Sequence, residues 1–387
     1  MRKLGIIVNK KVLIFTSCGG GGHTTASSAI ETYLKNNYQA QSINVFDEIL
    51  HHLDIFSIIT LHTYSGEQLY NLLIIKKRFR LLCWFYSFGK WYINMRRKSI
   101  YNLLYSYCIT TKPDLIISVI PILNYIILDV VQELNIPFLL IPTDLDVTTF
   151  INKITQPTYQ HFYIGLMFDD EQIMLPLTNA LIPKKQCFII GAPLHIDFFK
   201  PKSKIELKHH YTIASNKPVI MILMGSHGSN DIEKNITQLI KISIPIHLIV
   251  CIGKNKHSKQ IIDDLSLPEN ISVSIIEFTE RIIDYMIMAD ILISKAGSMS
   301  LCEALYTDLP ILLDATTYPL LPWEKFNHIF VKKHHMGDQI KDYTQITSKV
   351  SFLIKQQQEL LSYKKNIKKL QKKNCQEELL SLIQKII

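Results

Sequence analysis

The chain has 387 residues, too many for one ordinary core and suited to two domains of roughly 150–200 residues each. Apolar residues make up 48% and charged ones only 19%, which excludes a disordered chain and supplies material for two buried cores. The formal net charge of +9 asks for an anionic partner: nucleic acid, a membrane surface or a phosphorylated ligand.

The chain opens on a short apolar run broken by Asn9, Lys10 and Lys11, too short and too polar for a signal peptide. A buried strand is expected over residues 11–17, then a glycine loop over 19–23 and a helix over 24–35. Strands follow over 114–119, 137–141, 161–168 and 187–190, with a helix over 121–134. A polar stretch over 197–216, with a proline near each end, reads as a linker. The pattern then restarts with strands over 218–224, 246–252, 271–276, 291–294 and 310–313. Alternating strands and helices of this kind argue for parallel sheets covered on both faces, in two doubly wound α/β domains with a ligand cleft between them. Residues 351–387 form a Lys/Gln/Leu-rich helical pattern, expected as a solvated capping helix. No run reaches about 18 uninterrupted apolar residues, so no transmembrane helix is expected. Seven scattered cysteines without a C-x-x-C pair suggest neither a disulfide framework nor a zinc site.

The first motif with chemistry in it is Cys18, Gly19, Gly20, Gly21, Gly22, His23, directly after the first strand. Glycines let the backbone turn sharply and approach a ligand, and the helix that follows offers free N–H groups. The spacing is neither that of a dinucleotide fingerprint nor that of a Walker A loop. His23 at a helix start stays near neutral, because the positive end of the helix disfavours protonation. It is either a general base or a capping and packing residue.

With these residues in place, the chain resembles the processive diacylglycerol glucosyltransferases and monogalactosyldiacylglycerol synthases. It is more distantly similar to the N-acetylglucosaminyltransferase that forms lipid II. The glycine loop with His23, Phe46 and Asp47 with the acceptor-side segment 64–70, Pro142 to Asp144 and Ile189 to Pro193 stand in the family's order. The most specific likeness runs from Asp290 through Gly297, Ser298, Met299 and Glu303 to Pro310. The resemblance implies a GT-B fold of two Rossmann-like domains, residues 1–197 for the acceptor and membrane side and 198–369 for the nucleotide-sugar. Residues 370–387 would form a helix packing back on the first domain.

The donor site implied by the resemblance comprises Gly225, Ser226, His227, Phe278, Thr279, Gly297, Ser298, Met299, Glu303, Glu324 and Asn327. Gly297 and Ser298 at a helix N-terminus suit a diphosphate, and the Glu303 carboxylate suits two ribose hydroxyls. His227 is equally a ligand or a spacer. The chain departs from the family at Glu277, Ser298, Pro322 and Trp323, where glycine, glycine, glycine and glutamine are usual. Trp323 either stacks on the sugar or fills its pocket, so the transferred sugar stays open. In the first domain, Gly20, Gly21 and Gly22 form the acceptor loop, His23 takes the proton and Asp144 assists. The acids at 144, 146 and 169–171 read as acceptor-site and helix-start residues, with no metal and no cofactor expected beyond the UDP-sugar.

The segment 74–98 has the most unusual composition. Lys76, Lys77, Arg78, Arg80, Lys90, Arg96, Arg97 and Lys98 flank an aromatic middle containing Trp84 and Trp91, with no acid among them. Such a segment suits the headgroup layer of an anionic membrane; the alternative is a helix pair with its aromatics in the core. Nucleic acid is not favoured, because no recognised binding pattern accompanies it. The expectation is an inverting transferase moving a hexose from a UDP-sugar to diacylglycerol or a related glycolipid, peripheral on the cytoplasmic face of a membrane. The alternatives are N-acetylglucosaminyl transfer to an undecaprenyl-linked acceptor, a nucleotide-sugar epimerase of the same fold, and an inactive membrane-binding scaffold.

Overall fold

The computed structural model describes residues 10–225, 231–253, 256–316 and 320–387. Two compact units emerge, residues 1–196 with 372–387, and residues 197–371.

In the first unit six strands form one parallel sheet: β1 (Lys11–Thr16), β2 (Gln39–Asn44), β3 (Leu115–Ser118), β4 (Phe138–Leu140), β5 (Phe162–Leu166) and β6 (Cys187–Ile189). Their order is β2-β1-β3-β4-β5-β6. In the second unit β7 (Val219–Leu223), β8 (Ile246–Gly253), β9 (Ile271–Glu277), β10 (Ile291–Lys295), β11 (Ile311–Asp314) and β12 (Gly337–Ile340) make another parallel sheet, in the order β12-β11-β10-β7-β8-β9. The apolar runs of β1, β7, β8 and β10 are buried on both faces, as helix-covered parallel strands require.

Chain order reverses between β1 and β3 in the first sheet, and between β7 and β10 in the second. At such switch points the connections leave in opposite directions, opening a crevice at the carboxyl ends of the strands. The glycine loop follows β1. Gly225 and Gly297 follow β7 and β10.

Two strands went unforeseen, and both lie at an edge. β2 reads Gln-Ala-Gln-Ser-Ile-Asn with only Ile43 buried, and β12 reads Gly-Asp-Gln-Ile. Neither has an apolar run, because an edge strand faces solvent on one side. β12 depends on Gly337, where an added Cβ would lie 1.9 Å from the Ile311 carbonyl oxygen.

The 197–216 linker is more structured than expected. It contains the helix Lys204–His210, tied down by Lys202 to Asp284 and Lys204 to Asp290, each at 2.6 Å. The single solvated helix expected over 351–387 is corrected to three helices, Gln345–Lys355, Gln357–Lys369 and Cys375–Ile386. Asn374 caps the last, which buries Cys375, Leu379, Leu382 and Ile383 and packs in the first unit against the helix Gly21–Leu34. Its apolar face at spacings of four, three and one is what removes it from solvent. All seven cysteines are free thiols. No helix among the described residues is long and apolar enough to cross a membrane.

Candidate functional site

The first helix begins at Gly21 rather than at Thr24, with Gly20 as its N-cap at φ +82°. Gly20 is thus one position where glycine is required, since other side chains are strained at that angle. The early start places His23 in the first turn, beside the carboxyl ends of β3 and β4. Its Nδ1 lies 2.9 Å from the Val119 carbonyl oxygen and 2.8 Å from Thr143 Oγ1. A carbonyl accepts only, so Nδ1 carries the proton and Nε2 keeps its lone pair. Burial holds the imidazole down at about 4, against the pull of the Val119 carbonyl. His23 is therefore neutral at physiological pH.

The carbonyl that orients it is itself fixed. Asn124, fully buried, accepts from Ser118 Oγ at 2.6 Å and donates to the carbonyls of Ile120 and Phe150 at 2.7 and 2.9 Å. This locks the turn after β3. Asp144, next in the chain to Thr143, is partly exposed at the end of β4. Asp146 caps the short turn Val147–Thr149 through the Thr148 amide at 3.0 Å. Asp170 likewise caps the helix Glu171–Asn179, as the helix-start reading of that acidic cluster anticipates.

In the second unit Gly297 caps the helix Ser298–Tyr306, whose first amides face outward from the crevice end of β10. Ser298 and Met299 are buried in its first turn. Glu303 lies on the same helix beside Cys251 at the end of β8. Burial pushes its carboxyl up to about 7, and no described residue hydrogen-bonds it. Among the described residues no cation offsets that burial, so the carboxyl has room to accept from donors.

Asn327 is fully buried on the helix Pro322–Lys333. Its amide donates to the Ala296 carbonyl at 2.7 Å and to Ser298 Oγ at 2.9 Å, so it holds the 296–298 turn from behind. Glu324 sits in the first turn of that helix, with Pro322 at its start and Trp323 half-buried. Burial raises the Glu324 carboxyl, Lys295 draws it back and Asp314 pushes it up again. Phe278 is exposed and Thr279 accepts from the Arg281 amide at 3.1 Å, shaping the turn after β9. Ser226 and His227 lie outside the described residues.

One residue of this site was not singled out from the sequence. Lys295 ends β10, and its side chain lies over the open face of Gly225, where a Cβ would meet Lys295 Cε at 2.8 Å and Nζ at 3.1 Å. Gly225 has φ +92°, so both its conformation and its neighbour demand glycine. Among the described residues Lys295 makes no ion pair within 4 Å, although its charge reaches the Glu324 carboxyl. The available signal was a lone cation closing an otherwise apolar core strand.

The basic aromatic segment resolves into the helices Gly66–Ile75, Phe79–Met95 and Arg97–Thr111, with the short helix Ile55–Ile59 beside them. On Phe79–Met95 the buried residues are Leu82 and Ile93. Leu81, Trp84, Trp91 and Met95 form an exposed stripe at helical spacing, Trp84 at 59% and Trp91 at 57%. Ile58, Ile59 and Leu61 extend the apolar surface, Leu61 being 85% exposed. Phe56 stacks on Phe85 at 4.5 Å and Phe88 on Trp84 at 5.5 Å, so the aromatic middle packs on itself and on a neighbouring helix while none of its rings is fully buried. Lys76, Arg78, Arg80 and Arg96 are exposed around this surface, and Lys77 lies in the left-handed turn between two helices. Arg97 is engaged by Asp129 at 2.6 Å.

Residues 219–318 match the glycosyltransferase family 28 C-terminal domain. The chain is 26% identical over 392 residues to a processive diacylglycerol beta-glucosyltransferase of Bacillus pumilus, covering 96% of this chain and 94% of that protein. A protein of the same name from Bacillus licheniformis is 25% identical over 394 residues, with the same coverage. Among solved structures, MurG of Acinetobacter baumannii superposes with a TM-score of 0.65 at 14% identity, over 97% of this chain and 99% of that one. UDP-GlcNAc 2-epimerase from Neisseria meningitidis gives 0.58 at 13% identity, over 97% and 100%. The likeness to solved structures carries the architecture, two doubly wound units of the GT-B kind.

Proposed function

We propose that this chain, a glycosyltransferase whose second unit carries the family 28 C-terminal domain, transfers a hexose from a UDP-sugar to diacylglycerol or a related glycolipid at an anionic membrane surface, inverting the anomeric centre. The observation that carries the reading is His23, neutral, with its Nδ1 proton committed to the Val119 carbonyl and the Nε2 lone pair left as the proton acceptor.

In this reading the acceptor oxygen attacks the anomeric carbon while the bond to the β-phosphate oxygen breaks. The acceptor's proton passes to His23 Nε2, and UDP leaves with the bonding pair. Asp144 assists at the acceptor. The amides of the turn capped by Gly297 and the Lys295 ammonium hold the charge that grows on the diphosphate. Glu303 accepts from the ribose hydroxyls, the turn at Phe278 and Thr279 meets the base, and Glu324 faces the sugar. A fixed cation at Lys295 supplies electrostatic stabilisation there.

The exposed stripe from Leu81 to Met95, with Ile58, Ile59 and Leu61, supports a lipid-facing role, because contiguous apolar surface of this kind marks an interaction site. The cations around it support anionic headgroups as the partner, each contributing on the order of 1 kcal/mol. An epimerase acting on a soluble nucleotide-sugar has no use for such a face.

The test incubates the purified protein with labelled UDP-glucose, UDP-galactose or UDP-N-acetylglucosamine, with and without anionic vesicles containing diacylglycerol. The expected result is a labelled glycolipid formed only with vesicles. Sugar rearrangement without lipid, or no turnover of any donor in the presence of vesicles, refutes the proposal.

A further inference from the structure

The glycine loop is gripped by a helix that the mechanism above does not use. Along Gly66–Ile75, residues at spacings of three and four share a face, and Glu67, Tyr70 and Asn71 turn that face to the loop. Glu67 Oε1 accepts from the Cys18 amide at 2.6 Å and from the Gly19 amide at 3.2 Å. Asn71 Oδ1 accepts from the Gly20 amide at 2.8 Å, and its Nδ2 donates back to the Cys18 carbonyl at 2.9 Å. The Tyr70 ring lies against the open faces of Gly19 and Gly20, where an added Cβ would meet it at 3.7 and 4.0 Å. Three consecutive loop amides thus meet two side chains of one helix, the Gly19 amide being shared with Ser17 Oγ at 3.1 Å.

The clamp is braced from behind. Asn44 Nδ2 donates to Glu67 Oε2 at 2.8 Å, to Asp47 Oδ2 at 2.6 Å and reaches Cys18 Sγ at 3.3 Å. Cys18, Asp47 and Glu67 have the spacing of a metal site, but an amide donor already occupies the point at which they converge. Glu67 is therefore held to the loop rather than free for a cation.

The same helix belongs to the lipid-facing group. Asp54 Oδ2 accepts from the Gly66 amide at 2.8 Å, while Asp54 Oδ1 caps the helix Ile55–Ile59 through the amides of Phe56 and Ser57 at 3.0 and 3.1 Å. Phe56 stacks in turn on Phe85 of Phe79–Met95, whose outer face carries Trp84 and Trp91. Tyr86 on that helix reaches the turn after β4, where Asp144 and Asp146 add to burial in raising its phenol. The exposed helices therefore hold the loop that leads into His23 and lie beside the acidic turn after β4.

We propose that Glu67 and Asn71 are positioning residues that fix the glycine loop, and through it His23, and that they transmit the seating of the apolar helices on a lipid surface to that loop. The proposal rests on the membrane-surface reading above and goes beyond it by naming the link. Without Glu67 the Cys18 amide loses its acceptor and the Gly19 amide keeps only Ser17 Oγ; without Asn71, Gly20 loses the partner that holds its left-handed conformation. His23 then starts from a mobile N-cap.

The test uses the full chain with anionic diacylglycerol vesicles and compares Glu67→Ala, Asn71→Ala and Glu67→Gln, the last of which keeps an acceptor for the Cys18 and Gly19 amides. A misplacement of about 1 Å at a catalytic group costs roughly 100-fold, so kcat is expected to fall about 10- to 100-fold in the two alanine variants. KM for the UDP-sugar and vesicle affinity should stay within about twofold of wild type, and Glu67→Gln should recover most of the rate. Retained kcat in both alanine variants, or a Glu67→Gln rate as low as that of Glu67→Ala, overturns the proposal. Amide exchange at residues 18–22 reads the link without turnover and needs only the wild-type protein if the variants fold poorly. Vesicles should slow it several-fold in the wild type and not in Asn71→Ala; equal rates with and without vesicles in the wild type overturn the transmission. A wild type that transfers no sugar but shows the vesicle-dependent slowing refutes the functional reading while leaving the clamp standing.

Discussion

Replacing Glu303 by glutamine should make the free protein more stable and the nucleotide complex weaker. Burial raises the carboxyl from 4.5 to about 7, so between these values the folded state holds a proton that the unfolded chain has released. Stability therefore falls as pH rises through that window, and above it the buried carboxylate costs up to about 3 kcal/mol. Glutamine has nothing to ionise and escapes that cost. Thermal melting at pH 8 should show Glu303→Gln more stable than the wild type, with the gap closing towards pH 4.5. A carboxylate accepting from hydroxyls contributes about 1.5–3 kcal/mol, so titration calorimetry with UDP should show a loss of about 10- to 150-fold in the variant. UDP binding to the wild type should also release a proton near pH 6.5–7, because ribose donors favour the ionised form. Wild-type UDP affinity in Glu303→Gln, or a stability gap that does not change with pH, would refute the assignment.

His23→Ala should lower kcat by about 10²- to 10⁴-fold with donor affinity unchanged, measured as glycolipid formation at saturating UDP-sugar. Since the imidazole titrates at about 4, the rate of the wild type should show no limb at 6.5, and this group should raise stability as pH climbs from 4 to 6.5. Lys295→Ala should weaken UDP about 10- to 150-fold but leave uridine binding unchanged in competition assays, because the contact proposed for the ammonium is to the diphosphate alone. Replacing Lys76, Arg78 and Arg80 together by alanine should remove about 3 kcal/mol of attraction to anionic vesicles, roughly 150-fold in flotation affinity, and the loss should shrink in high salt.

Most of the central strands were legible, because a parallel strand covered on both faces reads as a nearly continuous apolar run, unbroken in β7 and interrupted only by His247 in β8 before its closing glycine. The edge strands β2 and β12 were not, because their pairing depends on a backbone neighbour and, at Gly337, on the absence of a side chain. The glycine loop was legible through composition, yet the helix start was misplaced by three residues, since Gly21 and Gly22 are poor helix formers that the turn before His23 nevertheless draws into the helix. The arginines of segment 74–98 were counted alike, but Arg97 meets Asp129 from a helix 32 residues away.

The alternation of apolar runs and helical patterns, the glycine-flanked strand ends and the unusual basic aromatic segment were properties of the sequence alone, because they are local in the chain. What only the tertiary structure decided is which groups act together. The Val119 carbonyl assigns the tautomer of His23 across 96 residues, Glu67 and Asn71 satisfy the loop across about fifty, and Lys295 finds Gly225 across the switch point of the second sheet. Hydrogen bonds and charge act through a few ångströms of space, and a parallel sheet brings strand ends that distant in sequence to neighbouring positions.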